Sequence, residues 1–168
     1  METPFIIWTE ALAVGHESLD AEHRRLVQAI NGINAAIRVK QTPTQLKPLL
    51  YDLKSLAEDH SKHENSALLK INFSPIPSPA DRHAFLKAMV DADVAAHVDG
   101  HARSLSNLDG IIHDFHSAID SLQWTLSLRL NKWFGDHVDK HERRLKAVFQ
   151  ALSRQAADDS GGPFGNPA

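Results

Sequence analysis

Apolar side chains return every three or four positions from Leu19 through Leu26, Val27, Ile30, Ile33 and Ile37, with His23 on the same phase. That spacing predicts a first helix of about 20 residues from Ser18, ending before Thr42-Pro43. Residues 1–17 fit no such period and read as a non-helical arm carrying Trp8 and Gly15. Leu49, Leu50, Leu53, Leu56, Ala57, His60, Glu64, Ala67, Leu68 and Ile71 hold one face through a second helix. Its start has two readings. Thr42-Pro43-Thr44-Gln45 has the form of a capping box with Pro at the first helical position. Pro48 instead suits a start near Lys47, which would put that ring in the first turn.

Phe73-Ser-Pro-Ile-Pro-Ser-Pro79 cannot continue a helix and marks a loop. A third helix is expected from near Ser78 to about His116, with Pro79 near its first turn. Gly100 and Gly110 weaken it, so a break near Ala92–Ala96 or at Gly110 is open. A turn falls within Ser117–Trp124, and a fourth helix runs from Thr125 to Arg154. No β-alternation and no internal repeat interrupts the pattern. Four long helices with short connections imply an all-α, up-down-up-down four-helix bundle with an N-terminal arm. The long stretch between helices two and three is either an extension of both or an extra helix around Pro79–Val90. The domain spans residues 1–157. The Gly- and Pro-rich residues 158–168 are expected to form a disordered tail.

Composition narrows the function. Hydrophobic content of 42% and charged content of 23% belong to an ordinary globular domain. A net charge of -3 carries no footprint for nucleic acid or an anionic membrane. The chain has no cysteine, which excludes disulfides, iron–sulfur clusters and thiolate zinc sites. The first ten residues lack a basic n-region, and no stretch approaches the roughly 18 apolar residues of a membrane span. The expected location is the cytoplasm.

Histidine is where the chain departs from the ordinary, at 11 of 168 residues. Five of them, with two Glu, form the series His23, His60-x3-Glu64, His97-x3-His101 and His137-x4-Glu142. Residues four apart share a helix face, so each pair can aim two donors at one point. A single pair proves little: at this histidine content about one His-x3-His pair arises by chance. The set carries more weight, because each of four helices places a metal-capable group on its apolar face. Burying so many imidazoles and carboxylates without partners would cost several kcal/mol. A metal centre removes that cost, and imidazole with carboxylate suits iron, zinc or manganese. The remaining histidines have plainer readings. His16 is solvated or structural, His63 is turned outward, and His113 and His116 lie past the ligand stretch. His83 has Lys87 at its i+4 position and is a poor ligand. Trp133, one turn before His137, can wall the pocket, and Arg24-Arg25 reads as a solvated face.

These motifs resemble the hemerythrin family, particularly its bacterial members. The resemblance rests on Trp8, on Gly15-His-Glu-Ser-Leu-Asp20-Ala-Glu-His23-Arg-Arg-Leu26 with Ile30-Asn31, and on His60-x3-Glu64, His97-x3-His101 and Trp133-Phe-x2-His137-Val-x3-Glu142. It implies two non-haem iron ions. One would be held by His97, His101 and His137, the other by His23 and His60, with Glu64 and Glu142 as bridges beside an oxo or hydroxo group. It implies that O2 binds reversibly at the open position of the two-histidine iron, for carriage, storage, delivery or sensing. The alternatives are a di-iron enzyme acting on peroxide or nitric oxide and an iron- or oxygen-responsive regulatory module.

The chain departs from the family pattern in three respects. Glu142 stands where the family usually has Asp. His137 to Glu142 is an i+5 step, about 140° around an ideal helix, so His141 is the geometric fallback. The interval from Glu64 to His97 is also longer than usual.

Overall fold

The structure is a computed structural model. It describes residues 5–69, 80–117, 123–139 and 146, with the backbone alone at 69, 80–93, 116–117 and 123–124. Four helices carry the chain: α1 (Glu17–Arg38), α2 (Pro43–Leu69), α3 (Ala80–Ser117) and α4 (Gln123–His137). Each packs on its successor, and α4 closes back onto α1. No strand occurs among the described residues.

The alternating direction of the helices follows from where their residues meet. One end of the bundle is apolar, built from Ile30 and Ile33 late in α1, Leu46 and Leu50 early in α2, Ile111 and Phe115 late in α3, and Leu126 and Leu130 early in α4. His23, His60, His97, His101 and His137 lie further along the same helices, away from that apolar end. Only an up-down-up-down arrangement brings those residues together. No helix is long and apolar enough to cross a membrane, among the described residues.

Helix α2 settles its two possible starts in favour of the capping box. Thr42 N–H donates to Gln45 Oε1 at 2.9 Å, and Gln45 N–H returns to Thr42 Oγ1 at 3.4 Å. The later start near Lys47 is not adopted, and Pro48 lies inside the helix. An interior proline costs ~3 kcal/mol. Leu46, Leu50 and Leu53 around it are fully buried, each contributing roughly 1.5–3 kcal/mol, which outweighs that cost. Pro48 itself points to solvent.

Helix α3 runs unbroken for 38 residues. Gly110 does not interrupt it, since the flanking Leu108, Ile111 and Ile112 are all buried. The long interval after Glu64 is therefore taken up by extension, α2 reaching Leu69 and α3 starting at Ala80, and not by a separate helix around Pro79–Val90. The Phe73–Pro79 loop, the end of the fourth helix at Arg154 and the 158–168 tail lie outside the described residues.

The N-terminal arm is tied down by side chains of α1. Asn31 donates from Nδ2 to the Ile6 carbonyl and accepts from the Ile6 N–H, both at 2.8 Å. The buried Asp20 accepts the N–H groups of Val14 and Gly15 at 2.7 and 3.2 Å. Gly15 makes this turn with φ of +84°, a region that side chains rarely enter. At the other end of α1, Lys40 occupies the left-handed region at φ 58°, where Gly is usual. Lys40 N–H bonds to Ile37 O and Gln41 N–H to Ala36 O, which together close the helix.

Candidate metal centre

Six of the seven expected donors are described, and all six are buried at one end of the bundle: His23, His60, Glu64, His97, His101 and His137. Glu64 lies in the middle with no solvent exposure. Its Oε2 is 2.9 Å from His101 Nε2 and 3.1 Å from His60 Nε2, and its Oε1 is 3.6 Å from His97 Nε2. His60 Nε2 also stands 3.1 Å from His23 Nε2 and 3.3 Å from His137 Nε2. Donor atoms of His60, Glu64, His101 and His137 all fall within 4.8 Å of one another, a grouping able to hold a metal ion. Glu142 and its fallback His141 lie outside the described residues.

The outer nitrogens explain how the rings are aimed. A carboxylate only accepts, so the 3.1 Å contact of His60 Nδ1 with Glu22 Oε2 places the ring proton on Nδ1. His101 Nδ1 likewise donates to Asn65 Oδ1 at 3.0 Å. Both rings are thereby committed to turning Nε2 toward Glu64. Second contacts of this kind orient the imidazoles of metal sites and set their tautomer. Trp133 supplies a wall: its ring stacks on His137 at 6.2 Å and 15°, and its Nε1–H donates to Ser104 O at 2.9 Å. That bond also ties α4 to α3. On the far side Trp8 stands 6.4 Å from His23, with the Arg24 guanidinium 4.8 Å above its ring. Arg24 is exposed as expected, but it is spent on Trp8 and not simply solvated.

The charge balance favours a cation. Burial pushes the Glu64 carboxyl upward, but the contacts to His101, His60 and His97 outweigh it and hold the group well below its usual range. Glu64 is therefore an anion. Burial lowers His101 below the ordinary imidazole value, against the pull of Glu64, so this ring favours its neutral form. A neutral ring with its proton on Nδ1 presents a lone pair at Nε2. His101 then sets its lone pair against Glu64 Oε2 at 2.9 Å. Among the described residues, neither Glu64 oxygen makes a hydrogen bond of good geometry. Lone pairs at that distance repel unless a cation stands among them, and deprotonated donors are what metal binding requires. The residues present fit a metal.

Glu22 and Asn65 were not legible as site residues. Each is the sequence neighbour of a donor (His23 and Glu64), and adjacency places a residue about 100° away on a helix. Neither lies on an apolar face, so periodicity passes over them. His63 is exposed as expected, yet its Nδ1 donates to Glu22 Oε1 at 2.7 Å. His16 makes a local contact with Ser18 Oγ at 3.1 Å, and His113 faces solvent. The side chains of His83 and His116 lie outside the described residues. Ala67 packs against a separate small cluster of Val14, Leu19 and Leu68.

Just after His137 the helix widens into a π turn at Val138–Asp139. Turns of this kind are frequent at functional sites.

No curated protein matches the chain. The family model described as the hemerythrin HHE cation binding domain matches residues 14–149, which spans all four helices and every expected donor. Taken with the buried His/Glu cluster, that match establishes that the chain belongs to the hemerythrin family.

Proposed function

We propose that the cluster holds two iron ions and that the protein binds O2 reversibly. His97, His101 and His137 would hold one ion and His23 and His60 the other, with Glu64 and Glu142 between them. The observation that carries this reading is the set of Nε2 atoms turned onto one buried carboxylate, two of them from rings whose Nδ1 protons are engaged elsewhere. A pair of ferrous ions supplies, when bound, the two electrons that reversible O2 binding needs.

The surroundings support binding over oxidation chemistry. Five imidazoles to two carboxylates make a less anionic centre than the Glu-rich sites of ferritin-like proteins. The chain has no cysteine, and its single tyrosine, Tyr51, is more than two turns before His60 and about half exposed. Leu26 and Trp133, each about one turn from His23 and His137 on the same helices, are buried in the apolar core.

A second reading has a specific observation behind it. Among the described residues, donor atoms of His60, Glu64, His101 and His137 form the group within 4.8 Å of one another, a geometry suited to one ion. Iron content per chain separates the two, read with the visible spectrum of the reduced protein before and after air. Two irons and a colour that reverses on removing O2 support the proposal. Two irons that oxidise at once favour an enzyme acting on peroxide or nitric oxide, or a regulatory module. One iron favours the mononuclear site.

A further inference from the structure

Glu22 joins the buried cluster to the surface. It lies on α1 and is mostly covered, its side chain 14% exposed. Its two oxygens are divided between two residues of α2 that share a helix face, buried His60 and exposed His63. A surface ion pair of this kind commonly contributes little to stability. This one differs because one of its arms ends on a ring of the metal cluster.

The contrast with His101 gives the arrangement its meaning. The ring of His101 is backed by the neutral amide of Asn65, that of His60 by a carboxylate. A charged acceptor makes a shorter, stronger hydrogen bond and draws the Nδ1 proton toward itself. That leaves more electron density at Nε2, so the ring becomes a stronger donor to a metal. His63 holds the carboxylate in place from outside, with Oε1 fixed while Oε2 faces His60. We propose that Glu22, gripped by His63, is a positioning residue that strengthens His60 as a ligand and so makes the two metal positions chemically unequal. On the di-iron reading, which this inference assumes, His60 belongs to the position with two histidines. Carboxylate backing there offsets the missing third imidazole.

The test is a zinc titration of the metal-free full-length chain by calorimetry, with competition against a coloured chelator. The unaltered chain should take up two zinc ions in two distinguishable events. Glu22→Gln keeps an oxygen acceptor for His60 and removes the charge. It should weaken one event by about 10- to 100-fold and leave the other unchanged. Glu22→Ala should weaken the same event at least as much. His63→Ala should weaken it in the same direction and by less. His97→Ala should weaken the other event, which identifies the two. Circular dichroism confirms that each variant keeps its helices. If Glu22→Gln and Glu22→Ala leave both affinities unchanged, or lower both alike, the inference is overturned while the di-metal reading stands. Fewer than two zinc ions on the unaltered chain overturns the di-metal reading and this inference with it.

Discussion

Asn65 Oδ1 accepts the Nδ1 proton of His101 at 3.0 Å, and the opposite nitrogen of that ring meets Glu64 at 2.9 Å. One amide thus fixes both the tautomer and the direction of a ring across the α2–α3 interface. Asn65→Leu keeps much of the side-chain volume and removes the acceptor. The expected outcome is a loss of metal affinity of about 10- to 100-fold, measured by chelator competition. Asn65→Asp, which backs the ring with a carboxylate as Glu22 backs His60, should bind at least as tightly as the unaltered protein. Equal affinity in all three proteins would show that the contact is incidental.

The metal-free protein should lose stability steadily on acidification, in two windows. His101 has its folded pKa lowered from 6.5 by burial, so the unfolded chain takes up its proton first. Its contribution is present above the unfolded value and is lost as pH falls below about 6.5 toward the folded value. Glu64 is depressed from 4.5, so its contribution is present above that value and lost as pH falls below it. Urea unfolding of metal-free protein at pH 7.5, 5.5 and 4 should therefore give successively lower midpoints. Zinc should raise the pH 7.5 midpoint most, since its ligands must be deprotonated. A midpoint that rises between pH 7.5 and 5.5 would contradict the neutral assignment of His101.

Much of this arrangement is written in periodicity, and the parts that are not have two separate causes. The six described candidates stand out because each falls on the apolar stripe of its helix, where a polar group is conspicuous, and the structure buries them together. The bundle followed from four such stripes and short connections. Pro48 and Gly110 leave the start of α2 and the continuity of α3 open in the sequence, because local propensity is silent about tertiary neighbours. Fully buried leucines around Pro48 carry α2 through it, as Leu108, Ile111 and Ile112 carry α3 through Gly110. Glu22 and Asn65 escaped notice for a different reason. Their role depends on which neighbouring helix lies beside them, and nothing in the spacing along one helix encodes that. The link from His63 to Glu22 crosses 41 residues and belongs to the same class.

Lys40 closes α1 in a conformation that costs a side chain energy. At φ 58° its N–H bonds to Ile37 O while Gln41 N–H reaches Ala36 O, a geometry that Gly adopts without the Cβ clash. The left-handed conformation costs a non-Gly residue roughly 1–2 kcal/mol. Glycine gives back part of that through its greater freedom in the unfolded chain. Lys40→Gly should stabilise the protein by roughly 0.5–1 kcal/mol in urea unfolding, with metal uptake unchanged. A destabilised variant would mean that the lysine side chain makes up the difference elsewhere.

Trp133 performs two tasks that separate by mutation. Its indole N–H bonds to the Ser104 carbonyl at 2.9 Å, and its ring lies parallel to His137. Trp133→Phe removes the bond and keeps an aromatic face. It should cost about 1 kcal/mol, the usual net value of one hydrogen bond, and leave metal affinity nearly intact. Trp133→Ala also removes the ring from a residue only 6% exposed, and should cost about 3–5 kcal/mol through the cavity it leaves. It should weaken metal binding too, because His137 loses the surface that holds its ring. Stability and zinc affinity measured together on the two variants decide the matter. If Trp133→Phe weakens metal binding as much as Trp133→Ala does, then the α3–α4 tie through Ser104, and not the stacked ring, is what positions His137.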